Sequence, residues 1–380
     1  MKKNLILSAA LLLSASAAMA QDGVFQVKAN LKSIGDTLIA MKSRTEMDTI
    51  LVKKGKFTYK TVLKTPTEMT FASPGAFRGT DRTVFRVFAM PGESAELVGD
   101  IKDRFDINGK GFYQQYHQVD LFTENADKAI KQYGDSLTNL IEKGGNRDAI
   151  VKEYQENMPK LEAERNQKIF DFIAQHANED ASATLVSQFE KLEDMEKAVG
   201  LLSDNVKNGR MKAYYQPIID QVKAQMKAEE EAAKKQAVGI DAPDFTLKDI
   251  NGKDFTLSSL RGKYVILDFW GSWCGWCIKG MPEMKKYYEK YKGKFEIVGV
   301  DCNDTEQKWK DAVKKHELPW LHVYNPRANT QEEMANNVCG KYGIQGFPTK
   351  IVLSPEGKIV KTIVGEDPAF YTLLDELFSK

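Results

Sequence analysis

The pair Cys274-Gly275-Trp276-Cys277, set where an apolar run gives way to a helical period, constrains this chain more than any other feature. Tyr264-Val-Ile-Leu-Asp-Phe269 has the pattern of a strand buried on both faces. A helical pattern then runs from Cys277 to Tyr291. A thiolate, not a thiol, attacks a disulfide, so a working cysteine must be ionised near neutral pH. The first turn of a helix offers unsatisfied N–H groups and the positive end of the macrodipole, and both favour negative charge. Cys274 is therefore expected at that N-terminus as the exposed nucleophile. Cys277, three residues on, is expected one turn inside on the same face, placed to resolve a mixed disulfide.

Three other uses of such a pair compete. A purely structural disulfide this short restrains little of the unfolded chain, about 2 kcal/mol against about 4 for a loop of nearly forty residues. Half of a zinc site needs a second Cys-x-x-Cys or a His pair, and Cys302 and Cys339 stand apart from each other, so no metal site is expected. An inert buried pair fits poorly with flanking tryptophans at a helix start.

Around this motif the last third of the chain alternates strands and helices. Phe245-Thr-Leu, the Asn251-Gly252 turn and Phe255-Thr-Leu make a short hairpin. Strands are expected at 295–300 and 321–324, with a helix at 306–315 between them. Strands at 350–353 and 358–364, joined by Pro355-Glu356-Gly357, lead to a closing helix. The pattern predicts a mixed sheet flanked by helices, an α/β domain over 237–380.

Asp268-Phe269-Trp270-Gly271-Ser272-Trp273-Cys274-Gly275-Trp276-Cys277 resembles the active-site segment of thioredoxins. Ala242-Pro243-Asp244-Phe245-Thr246-Leu247 with Leu260-Arg261-Gly262-Lys263 resembles the TlpA/ResA branch of extracytoplasmic thioredoxin-like proteins. Pro282 matches the family's helix-kinking proline, and Tyr342-Gly343-Ile344-Gln345-Gly346-Phe347-Pro348-Thr349 matches the segment with its cis-proline. The resemblance covers about 140 residues. It implies that Cys274 attacks, that Cys277 resolves, and that Asp268 accepts or relays the resolving thiol's proton. A carboxyl in an apolar strand has a raised pKa, which suits that task. Pro348 would present its neighbour's backbone to a substrate, and Phe347 and Trp273, with Trp276 beside them, would line an apolar groove.

Trp276 stands where thioredoxin has proline. The residues between the cysteines help set reduction potential, so direction of electron flow is not read from the motif. By analogy the family favours reduction of protein disulfides, with no cofactor and with electrons from a membrane donor of the DsbD/CcdA kind. Cys302 and Cys339 both border the active-site end of such a fold, either as a second disulfide or as two buried free thiols.

The other two-thirds of the chain carry no comparable motif. Residues 21–112 read as a small antiparallel β domain: strands at 24–27, 37–40, 84–88 and 95–98, and a hairpin of Ile50-Leu51-Val52 and Phe57-Thr58-Tyr59 about Gly55. Residues 113–236 read as helical, with Ile130, Tyr133, Leu137, Leu140 and Ile141 on one face, and Ile169, Phe170, Phe172 and Ile173 on another. Tyr154, Met158 and Met195 are expected in the core. The polar and alanine run from Lys227 to Gln236 reads as a solvated helical spacer and the domain boundary. At the N-terminus, Lys2 and Lys3, an apolar stretch from Leu5 to Ala18 and Ala18-Met19-Ala20 have the form of a signal peptide cleaved after Ala20. The stretch is short for a membrane anchor, and no cysteine follows it for acylation. A periplasmic protein is expected.

In an oxidising compartment four cysteines, all after position 273, look placed for chemistry rather than for stapling a scaffold. A net charge of +1 with 28% charged residues argues against a nucleic-acid surface. Two further functions compete with thiol–disulfide exchange on proteins. Peroxiredoxins share the fold, but place threonine three residues before the reactive cysteine, where this chain has Gly271. A binding protein whose residues 21–236 recognise a partner or glycan, with an accessory redox module, is the other.

Overall fold

The structure is a computed structural model describing residues 23–43 and 45–379; the signal segment expected at 1–20 lies outside them. The chain divides into two compact units, Met1–Lys223 and Ala224–Lys380.

Eight strands of the first unit, β1 (Val24–Lys32), β2 (Thr37–Met41), β3 (Met47–Leu51), β4 (Lys56–Val62), β5 (Thr67–Ala72), β6 (Val84–Ala89), β7 (Ser94–Asp100) and β8 (Phe105–Gly109), form two four-stranded sheets. Their orders are β4-β1-β7-β8 and β3-β2-β5-β6. A short helix, α1 (Pro74–Arg78), joins β5 to β6. The hairpin expected about Gly55 is corrected here. The turn exists, with Gly55 at φ 76°, but β3 pairs with β2 and β4 with β1. The chain switches sheet at this turn because Ile50 and Val52 on one side and Phe57 and Tyr59 on the other enter one shared core. Nor is the sandwich wholly antiparallel, since β1 runs parallel to β7.

Helices α2 (Phe112–Glu142), α3 (Arg147–Gln175), α4 (Leu192–Leu201) and α5 (Asp204–Lys207) follow, and α6 (Lys212–Lys235) begins in this unit. Phe112, Tyr113, Ile169, Phe170, Ile173 and Met195 join the same core as the strands. The β and helical segments read separately in the sequence thus share one hydrophobic core. Of the face expected on α2, Leu137 is buried, whereas Leu140 and Ile141 are exposed, as is Tyr154 on α3.

In the second unit, β9 (Thr246–Asp249), β10 (Asp254–Thr256), β11 (Tyr264–Trp270), β12 (Phe295–Asp301), β13 (Leu321–Tyr324), β14 (Thr349–Leu353) and β15 (Ile359–Val364) form one mixed sheet, ordered β10-β9-β13-β12-β11-β14-β15. Helices α7 (Gly275–Lys290), α8 (Glu306–Lys315), α9 (Gln331–Asn336), α10 (Val338–Lys341) and α11 (Ala369–Phe378) complete it. Central β11 runs parallel to β12 and antiparallel to β14, and every residue from Val265 to Trp270 is buried. Strand alternation sends Val265, Leu267 and Phe269 to one core and Ile266 and Trp270 to another, which also holds Cys274, Cys277 and Met281. Asp268, between Ile266 and Trp270, therefore faces the side carrying the cysteines.

The run read as a solvated helical spacer is helical and mostly exposed, but it also docks against the second unit's own chain. It is the end of α6, where Ala232 is buried, Lys235 donates to Gly340 O at 2.8 Å, and Gln236 donates to Tyr342 O at 2.9 Å. Alanine on one face and lysine at the end let a mostly polar helix dock through its few apolar positions. Among the described residues no helix is long and apolar enough to cross a membrane.

Candidate active site

β11 ends at Trp270, and Gly271-Ser272-Trp273 turns the chain into α7. A Cβ on Gly271 would collide with Trp273 Nε1 and stand 2.8 Å from Cys302 O, so only glycine lets the indole cross this turn. The Asp304 carboxylate fixes the turn, accepting from Ser272 N at 2.6 Å and Ser272 Oγ at 2.9 Å. Cys274 caps α7 with extended backbone, and its Sγ accepts from Cys277 N at 3.1 Å. Cys274 and Cys277 are joined as a disulfide. The first turn of a 16-residue helix thus points its free N–H groups and positive dipole end at Cys274 Sγ.

One expectation needs correction. Cys274 is 6% exposed in this disulfide form, while Trp273 and Trp276 beside it are 51% and 65% exposed. The sulfur is taken up by its bond to Cys277 and by the first turn of the helix, and the two indoles form the outer surface. Trp273 Nε1 donates to Cys302 O at 3.0 Å, and its ring meets Phe347 edge-on with centroids 5.3 Å apart. Lys279 lies over the Trp276 ring. The Phe347–Pro348 peptide is cis, with Pro348 buried and Phe347 partly exposed.

Beneath the cysteines lies a buried charge cluster. Asp268 is 4% exposed, its Oδ1 has no hydrogen-bond partner, and it sits opposite Lys350 across the β11–β14 pair. Lys350 is itself buried and donates from Nζ to Glu366 Oε1 at 2.7 Å. A Cβ on Gly280, one turn beyond Cys277 on α7, would collide with the Glu366 carboxylate. Glu366 therefore presses against the helix that carries both cysteines. Burial pushes the Asp268 carboxyl up to about 6; Lys350 opposes that shift and Glu366 adds to it.

The AhpC/TSA family model matches residues 238–362. The thiol-disulfide oxidoreductase ResA of a Bacillus cereus strain is 37% identical over 133 residues, 35% of this chain and 72% of that protein. Its counterpart in Bacillus subtilis (strain 168) is 35% identical over 128 residues, 33% of this chain and 67% of that protein. The chain belongs to the ResA-like thiol–disulfide oxidoreductases. A solved thioredoxin domain of a thiol-disulfide oxidoreductase from Bacteroides vulgatus is 34% identical and covers 37% of this chain and 98% of that one, with a TM-score of 0.33.

In this ResA-like protein the fold sets Cys274, Trp276 and Cys277 at the start of α7, Trp273 against Phe347 beside Pro348, and Asp268 on the side of the sheet that carries the cysteines. Cys302 and Cys339, 37 positions apart, also meet, with sulfurs 2.7 Å apart and unbonded. Among the described residues no group of three or more His, Cys, Asp and Glu could hold a metal ion. Sequence reading missed Lys350, Glu366 and Asp304. Lys350 inside the apolar run Thr349–Leu353 was the available signal, since a lysine there must find an anionic partner. Glu366 and Asp304 lie in loops and look like ordinary solvated acids until the fold brings them in.

Proposed function

We propose that this ResA-like oxidoreductase reduces disulfides of protein substrates outside the cytoplasm. The observation that carries this reading is Cys274 Sγ at the N-cap of α7, accepting from Cys277 N, next to Trp273, whose ring meets Phe347 edge-on.

In the reduced enzyme the Cys274 thiolate attacks one sulfur of a substrate disulfide. A bond forms between Cys274 and that sulfur, and the other substrate sulfur leaves as a thiolate. Cys277 then gives its proton to Asp268 and attacks Cys274 Sγ. The second substrate sulfur leaves, and the enzyme carries the Cys274–Cys277 disulfide. An acid pushed up to about 6 is matched to accepting a thiol proton near neutral pH and passing it on. The exposed indoles of Trp273 and Trp276 offer an apolar surface to an unfolded or extended substrate segment, and the cis-proline loop offers it backbone hydrogen bonds. A membrane dithiol donor of the DsbD/CcdA kind resets the enzyme by the reverse exchange. The cleavable-signal features of residues 1–20 support the extracytoplasmic setting.

Trapping tests the reading. Cys277→Ser leaves the mixed disulfide unresolved, so the substrate stays on Cys274 and mass spectrometry of the linked peptides identifies it. Absence of any trapped protein, together with no insulin reduction by the parent chain, excludes the proposed activity.

A further inference from the structure

A second pair of sulfurs lies beside the active site, outside the chemistry above. Cys302 directly follows β12 and is fully buried. Its backbone belongs to the active-site turn: its N–H donates to Trp270 O at 2.8 Å, and its carbonyl accepts from Trp273 Nε1. Cys339 lies on α10, is only partly buried, and its carbonyl accepts from Ile344 N at 2.8 Å, on the way to Phe347–Pro348. Asn325 holds this segment in place. Its Oδ1 accepts from Val338 N at 3.1 Å, and its Nδ2 donates to Cys339 Sγ at 3.4 Å. The two sulfurs thus face each other at 2.7 Å, one on each of the two segments that border Trp273 and Phe347.

We propose that Cys302 and Cys339 are a second thiol–disulfide couple, whose oxidation ties the turn under Trp273 to the segment leading into the cis-proline loop. The two thiols have unequal parts. Cys339 is the less buried of the two, and its sulfur accepts a hydrogen bond from Asn325 Nδ2. Burial, with the neighbouring Cys339, pushes the Cys302 thiol well up, so it does not begin the reaction. An incoming organic disulfide, RSSR, is attacked by Cys339: the Cys339–SR bond forms and RS⁻ leaves. Cys302 then attacks Cys339 Sγ, the second RS⁻ leaves, and the protons of the two cysteines go to the two departing thiolates. The protein pair is oxidised by two electrons and RSSR is reduced to two RSH. None of this requires Cys274 or Cys277.

The experiment uses the full chain with Cys274→Ser and Cys277→Ser, equilibrated in glutathione buffers of rising oxidised-to-reduced ratio. It is then denatured, alkylated and weighed intact. The couple predicts two alkyl adducts per chain under reducing conditions and none under oxidising ones, reversibly, with a linked peptide containing Cys302 and Cys339. Adding Cys302→Ala should leave one glutathione on Cys339. The same linked peptide, sought in the wild-type chain under the same buffers, reads the pair without any substitution. Two adducts at every ratio, none at any ratio, or glutathione retained on Cys339 while Cys302 is present would each overturn the proposal. The reductase reading is untouched by those outcomes, since they are counted in the variant that lacks Cys274 and Cys277.

Discussion

Asp268 and Lys350 face each other as a cross-strand pair at the centre of the second unit's sheet, both almost wholly buried. Like the carboxylate of Glu366, which holds Lys350, they lie on the side of the sheet that carries Cys274 and Cys277. Three ionisable groups in an apolar layer are costly to fold. That cost makes sense where a proton has to be accepted and released, and it makes the cluster measurable.

Asp268 has a stability signature with a defined sign. Its carboxyl is near 6 when folded, against about 3.9 for an exposed aspartate. The folded chain therefore holds its proton more tightly than the unfolded chain. Stability linked to this group is greatest below about pH 4 and is lost as pH rises through about 6. Asp268→Asn should be more stable than the parent at pH 7.5, by up to about 3 kcal/mol, since each tenfold change in proton affinity is worth about 1.4 kcal/mol. The advantage should shrink toward pH 4. Urea unfolding of both oxidised proteins at the two pH values reads it, and an equal gap at both would contradict the assignment.

Lys350 and Glu366 should move the proton relay in opposite directions. Lys350 favours the ionised form of Asp268 and Glu366 opposes it. Lys350→Met is expected to shift the acid limb of the resolving step to higher pH, and Glu366→Gln to shift it lower. Lys350→Met also leaves Asp268 and the partly buried Glu366 without their cation, which lowers stability. Rapid-mixing measurement of mixed-disulfide release across pH separates the two variants; a common shift would remove the cluster from the relay.

Phe347 should matter for large substrates and not for small ones. Its edge-on contact with Trp273 contributes about 0.5–1.5 kcal/mol in pairs of this kind. Phe347→Ala is expected to raise KM for a protein disulfide about twofold to tenfold, with the rate toward a small aromatic disulfide unchanged. Equal losses on both would place Phe347 in the machinery of exchange rather than in the groove.

Much of the second unit was legible in sequence because its signals are local. A strand buried on both faces has no polar alternation to misread, and Tyr264–Trp270 follows that pattern except at Asp268. The capped start of α7 follows from two cysteines three residues apart at the end of that strand. What escaped depends on strand order. Lys350 meets Asp268 only because β14 lies next to β11 despite about eighty intervening residues, and local periodicity carries no strand order. The turn at Gly55 was readable as a turn, yet whether it joins neighbours in one sheet or crosses between two depends on which core Phe57 and Tyr59 enter. The end of α6 was hidden for a similar reason. An Ala-, Glu- and Lys-rich helix reads alike whether solvated or docked through a single face such as that of Ala232.

The most direct test of the account is the pH dependence of alkylation in the fully reduced full-length chain, with the modified cysteines located by mass spectrometry. Cys274 is expected to react first, with a half-maximal rate well below the ordinary thiol range near pH 8.5, and Cys277 to stay protected until Cys274 is blocked or the chain is unfolded. A Cys274 that titrates like a free thiol, or a Cys277 that reacts ahead of it, would contradict the assignment of attacking and resolving sulfurs.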